Sequence, residues 1–278
     1  VGIAANLGLA VLKAAAGVFG HSYALIADAA ESAADVLTST AILLALRFAT
    51  KPADEDHPHG HGKAEPLASV FVSLALFAAA AWIAVGSARM IVTPHRLPAP
   101  FTLVVLVGVL IVKEFLFRYA SHIGKAVGSP AVQADAVHQR SDVFVSGAAF
   151  VGITIALIGG KGYESADDWA ALAASAVIAY GAFTLLSKSV SELLDTAAPL
   201  EITDRIRTLA AEVEGVRGTD KCLVRKTGMD LLVELDVLVD GEVTVTRAHT
   251  TAHAVQDHIR AEMPQVARVI VHTEPSEG

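Results

Sequence analysis

The sequence predicts a bundle of six membrane-spanning helices followed by a small α+β domain. Three observations predict it. The 278-residue chain is 53% hydrophobic and 18% charged, with a mean hydropathy of +0.52, whereas soluble domains carry about 25% charged residues. Six stretches are long enough to cross a bilayer, which takes about 20 mostly apolar residues. Beyond Pro199 the long apolar runs stop, and short apolar segments alternate with amphipathic ones.

The six stretches are 1–19, 23–49, 64–92, 99–121, 131–159 and 166–189. Ala, Val and Leu dominate them and aromatics make up only 6% of the chain, a composition that lets helices approach closely in lipid. Turn chemistry separates them. Gly20-His21-Ser22 is a tight turn, and residues 50–62 read TKPADEDHPHGHG. Residues 93–98 hold two prolines, residues 122–130 two glycines and a proline, and residues 159–168 read GGKGYESADD.

In the last part, apolar spacing predicts a helix over 202–213, strands over 223–226 and 231–239, a helix over 244–263 and a strand over 266–272. The order α-β-β-α-β suits an open-faced, ferredoxin-like α+β domain. None of these runs can span a membrane, so this part is expected to be soluble. The division is a transmembrane domain over 1–195 and a cytoplasmic metal-binding regulatory domain over 196–278. Arg47, Lys51, Lys63, Arg118, Lys125 and Lys188 fall on one face, against Arg89, Arg96 and Lys161 on the other. The positive-inside bias therefore puts both termini in the cytoplasm. The chain starts at Val1 inside an apolar run, so a preceding segment is expected. The net charge of −8 argues against a nucleic-acid partner. A lone Cys222 excludes a disulfide framework and a multi-cysteine metal site within one chain.

Polar residues inside the apolar runs carry the chemistry. The second stretch holds Asp28-Ala-Ala-Glu31-Ser-Ala-Ala-Asp35 and the fifth holds Asp135-Ala-Val-His138-Gln-Arg-Ser-Asp142. Both follow Asp-Ala-x-(Glu/His)-x-x-x-Asp. Glu31 with Asp35, and His138 with Asp142, are spaced i, i+4, which puts each pair on one helix face about 6 Å apart along the axis. An ionised acid at a helix centre costs roughly 2.5–3.5 kcal/mol in lipid, so these groups are expected to face one another, a cavity or a cation. Two such pairs supply four ligands for a divalent ion. The competing readings are protonated acids, pairing with Arg140 and Lys113, or a proton pathway without metal. Asp28 and Asp135, one turn earlier, read as helix-packing or access-path acids.

Two further clusters suit metal. Asp54-Glu-Asp56-His57-Pro-His59-Gly-His61 crowds three acids and three histidines into one connector. In the last strand His272 and Glu274 share a face, with His249 on the preceding helix and Asp236 expected to end the neighbouring strand. His253 and His258 read as solvated, and His21, His95 and His122 as helix-end residues. No HExxH, candidate nucleophile or third histidine near the buried pair suggests an enzyme.

Together these motifs, with Pro52-Ala-Asp54 through His61-Gly-Lys63-Ala-Glu65 and His272-Thr-Glu274-Pro275, resemble the cation diffusion facilitator family of metal/proton antiporters. The resemblance covers essentially the whole chain. It implies a transport site of Glu31, Asp35, His138 and Asp142, and a connector site of Asp54, His57 and His61. It implies a cytoplasmic metal site of Asp236, His249, His272 and Glu274, with Asp220 a further candidate. It implies a homodimer in a lipid membrane, a Lys63–Asp195 pair holding the membrane part together, and protons as counter-ion. A bacterial inner (plasma) membrane is the expected location. The divalent ion is substrate and regulatory ligand, with zinc ranked first and Fe2+, Mn2+, Co2+ or Cd2+ as other cargo. Glu31 stands where zinc transporters of the family usually have His or Asp, and Asp220 and Asp236 where some have His. Both departures harden the ligand sets toward manganese or iron. The rival reading is a membrane-bound metal sensor or scaffold without transport.

Overall fold

The computed structural model describes residues 2–49, 51, 53–93, 97–127, 130–160, 162–228 and 230–276. Within its helices, the side chains of 2, 3, 5, 42, 43, 45, 46, 49, 120, 121, 123–127, 130–142, 144 and 145 lie outside that description.

The apolar stretches form long helices α1 (Gly2–Phe19), α2 (Tyr23–Ala49), α3 (Ala64–Val92), α4 (Phe101–Val127), α5 (Pro130–Gly159) and α6 (Ala166–Leu193). The α1–α2 turn closes with His21 at φ 53°, and Ser22 then caps α2: its Oγ accepts from Leu25 N at 3.1 Å. Ser22 Oγ–H also donates to Asp167 Oδ1 at 2.6 Å, and Tyr23 N donates to Asp167 Oδ2 at 2.7 Å. A carboxylate of α6 thus satisfies the first amides of α2 and meets the positive end of its dipole.

These helices invert the polarity of a water-soluble bundle. Lys13, Asp28, Lys113, Ser146 and Asp167 are buried, while Phe71, Trp82, Val104, Ile111, Ile158 and Phe183 are exposed. An apolar exterior, with charged groups buried inside beside an apolar core, is stable in lipid and costly in water. Helices α3 and α6 are long and uniformly apolar enough to cross a membrane on those grounds alone. Lys13 interrupts the apolar run of α1, and Asp28, Glu31 and Asp35 that of α2.

The C-terminal part forms α7 (Leu200–Ala211), β1 (Gly218–Thr227), β2 (Asp230–Val239), α8 (Val245–Glu262) and β3 (Val266–Pro275). Pro199, unable to donate, stands at the N-cap of α7, and Thr244 Oγ1 caps α8 by accepting from Arg247 N. The sheet order is β1-β2-β3, with β1–β2 antiparallel and β2–β3 parallel. Along β2 the odd residues Leu231, Val233, Leu235, Val237 and Val239 are buried. They pack with Ile206 and Leu209 of α7 and Val255 and Ile259 of α8. Both helices therefore cover one face, and the even residues, Asp236 among them, lie on the other.

Element order and type follow the sequence expectation, with corrections to the ends. β1 begins at Gly218 rather than 223, β3 runs on to Pro275, and α4 continues to Val127. Asp236 does not end its strand: β2 continues to Val239, because Leu238 and Val239 keep pairing with Glu274 and Pro275.

The chain forms two compact units. One comprises Val1–Leu43 and Ser69–Leu186, and the other Leu44–Ala68 and Ser187–Gly278. The second unit thus joins the Asp/His-rich connector to the C-terminal domain.

Candidate metal centre

In the first unit, Glu31 and Asp35 lie one turn apart on α2, both half-buried. The partner residues His138 and Asp142 fall on α5, as do Asp135 and Arg140, but their side chains lie outside the described residues. Asp28 is fully buried and engaged by lysines: its Oδ1 lies 2.9 Å from Lys13 Nζ and 3.8 Å from Lys113 Nζ. Ser146 Oγ–H donates to the same oxygen at 2.7 Å. Lys113 is the partner expected from the sequence; Lys13 is a second one that the structure adds. The signal was present, since a lysine centred in an apolar helix needs an internal partner.

In the second unit, the connector brings Asp54, His57 and His61 together. One ligand atom from each lies within 4.8 Å of the others. Local geometry makes the cluster: Asp54 Oδ1 accepts from His57 N at 2.7 Å and lies 3.2 Å from His57 Nδ1, while Oδ2 lies 3.4 Å from His61 Nε2. The backbone amide of His57 holds the Asp54 carboxyl below the usual carboxylate range, so it stays ionised as a ligand should. His61 is buried, edge-on against Phe48 with ring centroids 4.9 Å apart. Two imidazoles and a carboxylate are a good donor set for a first-row divalent ion. His59 does not join them; its Nδ1 lies 3.3 Å from Arg268 Nη1.

The loop is clamped to the β1–β2 turn. A Cβ on Gly62 would sit 2.5 Å from Thr227 Cγ2 and 2.7 Å from Thr227 O. Glu192 accepts from Gly228 N at 2.9 Å and pairs with Lys226 at 3.0 Å. Lys63 Nζ lies 3.0 Å from Asp195 Oδ1, and Arg225 Nη1 lies 3.2 Å from Oδ2.

On the open face of the sheet, Asp236, His272 and Glu274 form a third group within 4.8 Å. His272 is the direct partner of Asp236 across the parallel ladder. Its Nδ1 lies 3.7 Å from Asp236 Oδ1 and 3.5 Å from Glu274 Oε1. His249 is not part of that group: it lies on α8, and its Nε2 stands 3.1 Å from that of His253. Asp220 is also outside the cluster, exposed on β1. The irregularity between Thr219 and Cys222 sets Asp220 and Lys221 opposite Asp236. His258, read as solvated, pairs with Glu212 at 2.9 Å.

The sequence model described as "Cation efflux transmembrane domain" matches residues 1–194, and that described as "Cation efflux protein, cytoplasmic domain" matches residues 198–276. The chain belongs to the cation diffusion facilitator family. Members of this family are integral membrane transporters of divalent cations, and this facilitator is a membrane protein of that general function. It is 30% identical over 279 residues to the manganese efflux system protein MneP of Bacillus subtilis, spanning 99% of this chain and 94% of MneP. It is 32% identical over 292 residues to metal tolerance protein C1 of Arabidopsis thaliana, spanning 99% of this chain and 61% of that protein. The cation-efflux pump FieF of Cronobacter sakazakii is 30% identical over 268 residues, with 96% and 88% covered. Among solved structures, a MamM CTD is similar at 29% identity and a TM-score of 0.28, covering 28% of this facilitator and 95% of that chain.

Proposed function

We propose that this facilitator exports a hard first-row divalent cation, manganese(II) ahead of zinc, in exchange for protons. The observation that carries the reading is the Glu31–Asp35 pair, two half-buried carboxylates one turn apart on a helix of a cation-efflux transmembrane domain. With His138 and Asp142 of α5 they make a set of three carboxylates and one imidazole. Oxygen-rich sites lose less affinity for manganese than sulfur- or imidazole-rich ones do, although zinc stands higher in the Irving–Williams order. The similarity to a protein described as a manganese efflux system supports moving manganese ahead of zinc, which the sequence by itself ranks first. The six long helices act as six spans, with residues 1–195 as the transport domain and 196–278 as the cytoplasmic regulatory domain.

Cargo enters from the cytoplasm, displaces protons from His138 and the acids, and leaves on the far side when protons return. Ligand protonation competes directly with metal, and imidazole, whose ordinary pKa is near 6.5, suits such exchange. The Asp54/His57/His61 and Asp236/His272/Glu274 clusters hold regulatory metal rather than cargo. The working unit is a homodimer, with both termini cytoplasmic in a bacterial inner membrane. The cytoplasmic-domain match supports association through that domain.

The test is metal flux in proteoliposomes with an imposed pH gradient. Manganese uptake should be driven by the gradient and abolished by Asp35→Ala and by Asp142→Ala. Normal transport in both variants overturns the site. Metal binding without any proton-linked flux favours a sensor.

A further inference from the structure

Asp28 lies three residues before Glu31 on α2, and the transport site does not use it. Its surroundings are built rather than incidental. Lys13, Asp28 and Ser146 have no exposed surface, and Lys113 is 6% exposed. Asp28 Oδ1 takes the Ser146 hydroxyl at 2.7 Å and the Lys13 ammonium at 2.9 Å, with Lys113 Nζ at 3.8 Å. Lys13 Nζ also donates to Ser32 Oγ at 2.8 Å and to the Asp28 carbonyl at 3.4 Å, so it grips two turns of α2 at once. One oxygen atom of α2 thus gathers groups from α1, α4 and α5.

The bond to Ser146 matters most, because it joins the two helices that carry the two halves of the transport site. Asp28 precedes Glu31 by one turn, about 4.5 Å of helix rise, and Ser146 follows Asp142 by about 6 Å. As the second and fifth spans, α2 and α5 run in opposite directions. Tying Asp28 to Ser146 therefore brings Glu31 level with Asp142, and Asp35 level with His138. A slip of one residue along either helix would rotate its ligands by about 100° and break the set. The carboxylate is suited to this because a buried ionised acceptor binds a hydroxyl tightly. The two lysines supply the compensation that burying it requires.

We propose that Asp28 is a positioning residue: its bond to Ser146, charge-balanced by Lys13 and Lys113, fixes the register of α2 against α5 and so assembles the four cargo ligands. This rests on the transport-site reading above. The rival is that Asp28 is itself a ligand through Oδ2, which makes no hydrogen bond among the described residues.

The test uses the full chain in proteoliposomes, with manganese(II) flux and manganese(II) equilibrium binding as paired readouts. Ser146→Ala removes the tie without changing any charge. It should raise KM for manganese tenfold or more, since misplacement of about 1 Å costs about that or more, while the melting temperature in detergent stays near the parent's. Ser146→Thr, which keeps the hydroxyl, should restore KM to within about threefold. Asp28→Ala alone should abolish flux. The pair Lys13→Met with Asp28→Asn keeps both the net charge of the cluster and an Oδ1 acceptor, and should regain flux with manganese stoichiometry unchanged. A parental KM in Ser146→Ala overturns the proposal. Loss of one bound manganese in the Lys13/Asp28 pair, with folding intact, also overturns it and makes Asp28 a ligand. If Asp35→Ala and Asp142→Ala transport normally, the transport-site reading fails instead, which these outcomes do not mimic.

Discussion

Lys63 Nζ stands 3.0 Å from Asp195 Oδ1, at the point where the connector meets the end of α6. Arg225 of β1 takes the other carboxylate oxygen at 3.2 Å. One carboxylate therefore clasps the connector, the α6–α7 junction and the sheet. Asp195 holds its place at φ 54°, a left-handed conformation that Asp tolerates better than most residues.

The clasp has a defined pH range. The hydrogen bond from Lys63 depresses the Asp195 pKa most, with Arg225 adding to it. A depressed acid stabilises the fold above its unfolded pKa, about 3.9 for Asp, and loses that contribution as pH falls through the lower folded value. Stability from this pair should be constant between pH 7 and pH 5 and decline only below about pH 4. Both side chains are partly exposed, so Lys63→Met should cost no more than about 1 kcal/mol. Thermal melts of parent and variant against pH should converge at the acid end.

Gly62 is expected to be intolerant of any side chain. A Cβ there would meet Thr227 Cγ2 at 2.5 Å and the Thr227 carbonyl at 2.7 Å. Gly62→Ala should destabilise the second unit by on the order of 1–3 kcal/mol, the usual range for overpacking. Gly108→Ala, whose Cβ would have nothing within 4 Å, is the control and should melt like the parent. Differential scanning fluorimetry of the two variants decides it.

The connector cluster should bind one metal ion per chain, with His61 the most demanding ligand. His61 is buried against Phe48, whereas Asp54 and His57 are exposed. His61→Ala should abolish one equivalent of zinc or cadmium in a calorimetric titration and also lower the melting temperature. His57→Ala should weaken binding with little change in melting. Equal melting of both variants would contradict the geometry.

On the sheet, Asp236→Ala or His272→Ala should each remove a metal equivalent, because the two are direct neighbours across the β2–β3 ladder. His249→Ala should leave that equivalent in place within a chain, since α8 lies over the other face. If His249→Ala removes it, His249 belongs to the site, and dilution to monomer tells whether the imidazole comes from the same chain or from a second copy.

Cargo choice should turn on Glu31. Replacing it with His converts one oxygen donor to nitrogen and should shift competitive flux from manganese toward zinc by about tenfold. Competition between the two ions in proteoliposomes measures the ratio directly. An unchanged ratio would remove Glu31 from the cargo site.

Much of this was legible in the chain because the signals are local. Helical apolar runs, Ser22 before α2, Pro199 before α7 and the alternation along β2 each act over a few residues, so the element order could be read in advance. Asp54, His57 and His61 could likewise be grouped, because a single turn of loop brings them together. Whether His249 joins Asp236, His272 and Glu274 is not legible in the same way, because spacing cannot say which face of a sheet a helix will cover. Lys13 announces in the sequence that it needs an internal partner, but only the fold names that partner as Asp28.

By itself, the sequence determined the membrane class, the helices and strands, and the residue types that can hold a divalent ion, since burial and ligand chemistry depend on composition and near-neighbour spacing. Tertiary structure alone decided that Asp28 belongs to Lys13 and Ser146, that Arg225 takes the second oxygen of Asp195, and that His258 closes on Glu212. Those pairings join residues far apart in the chain, and only the packing of one element on another sets their distances.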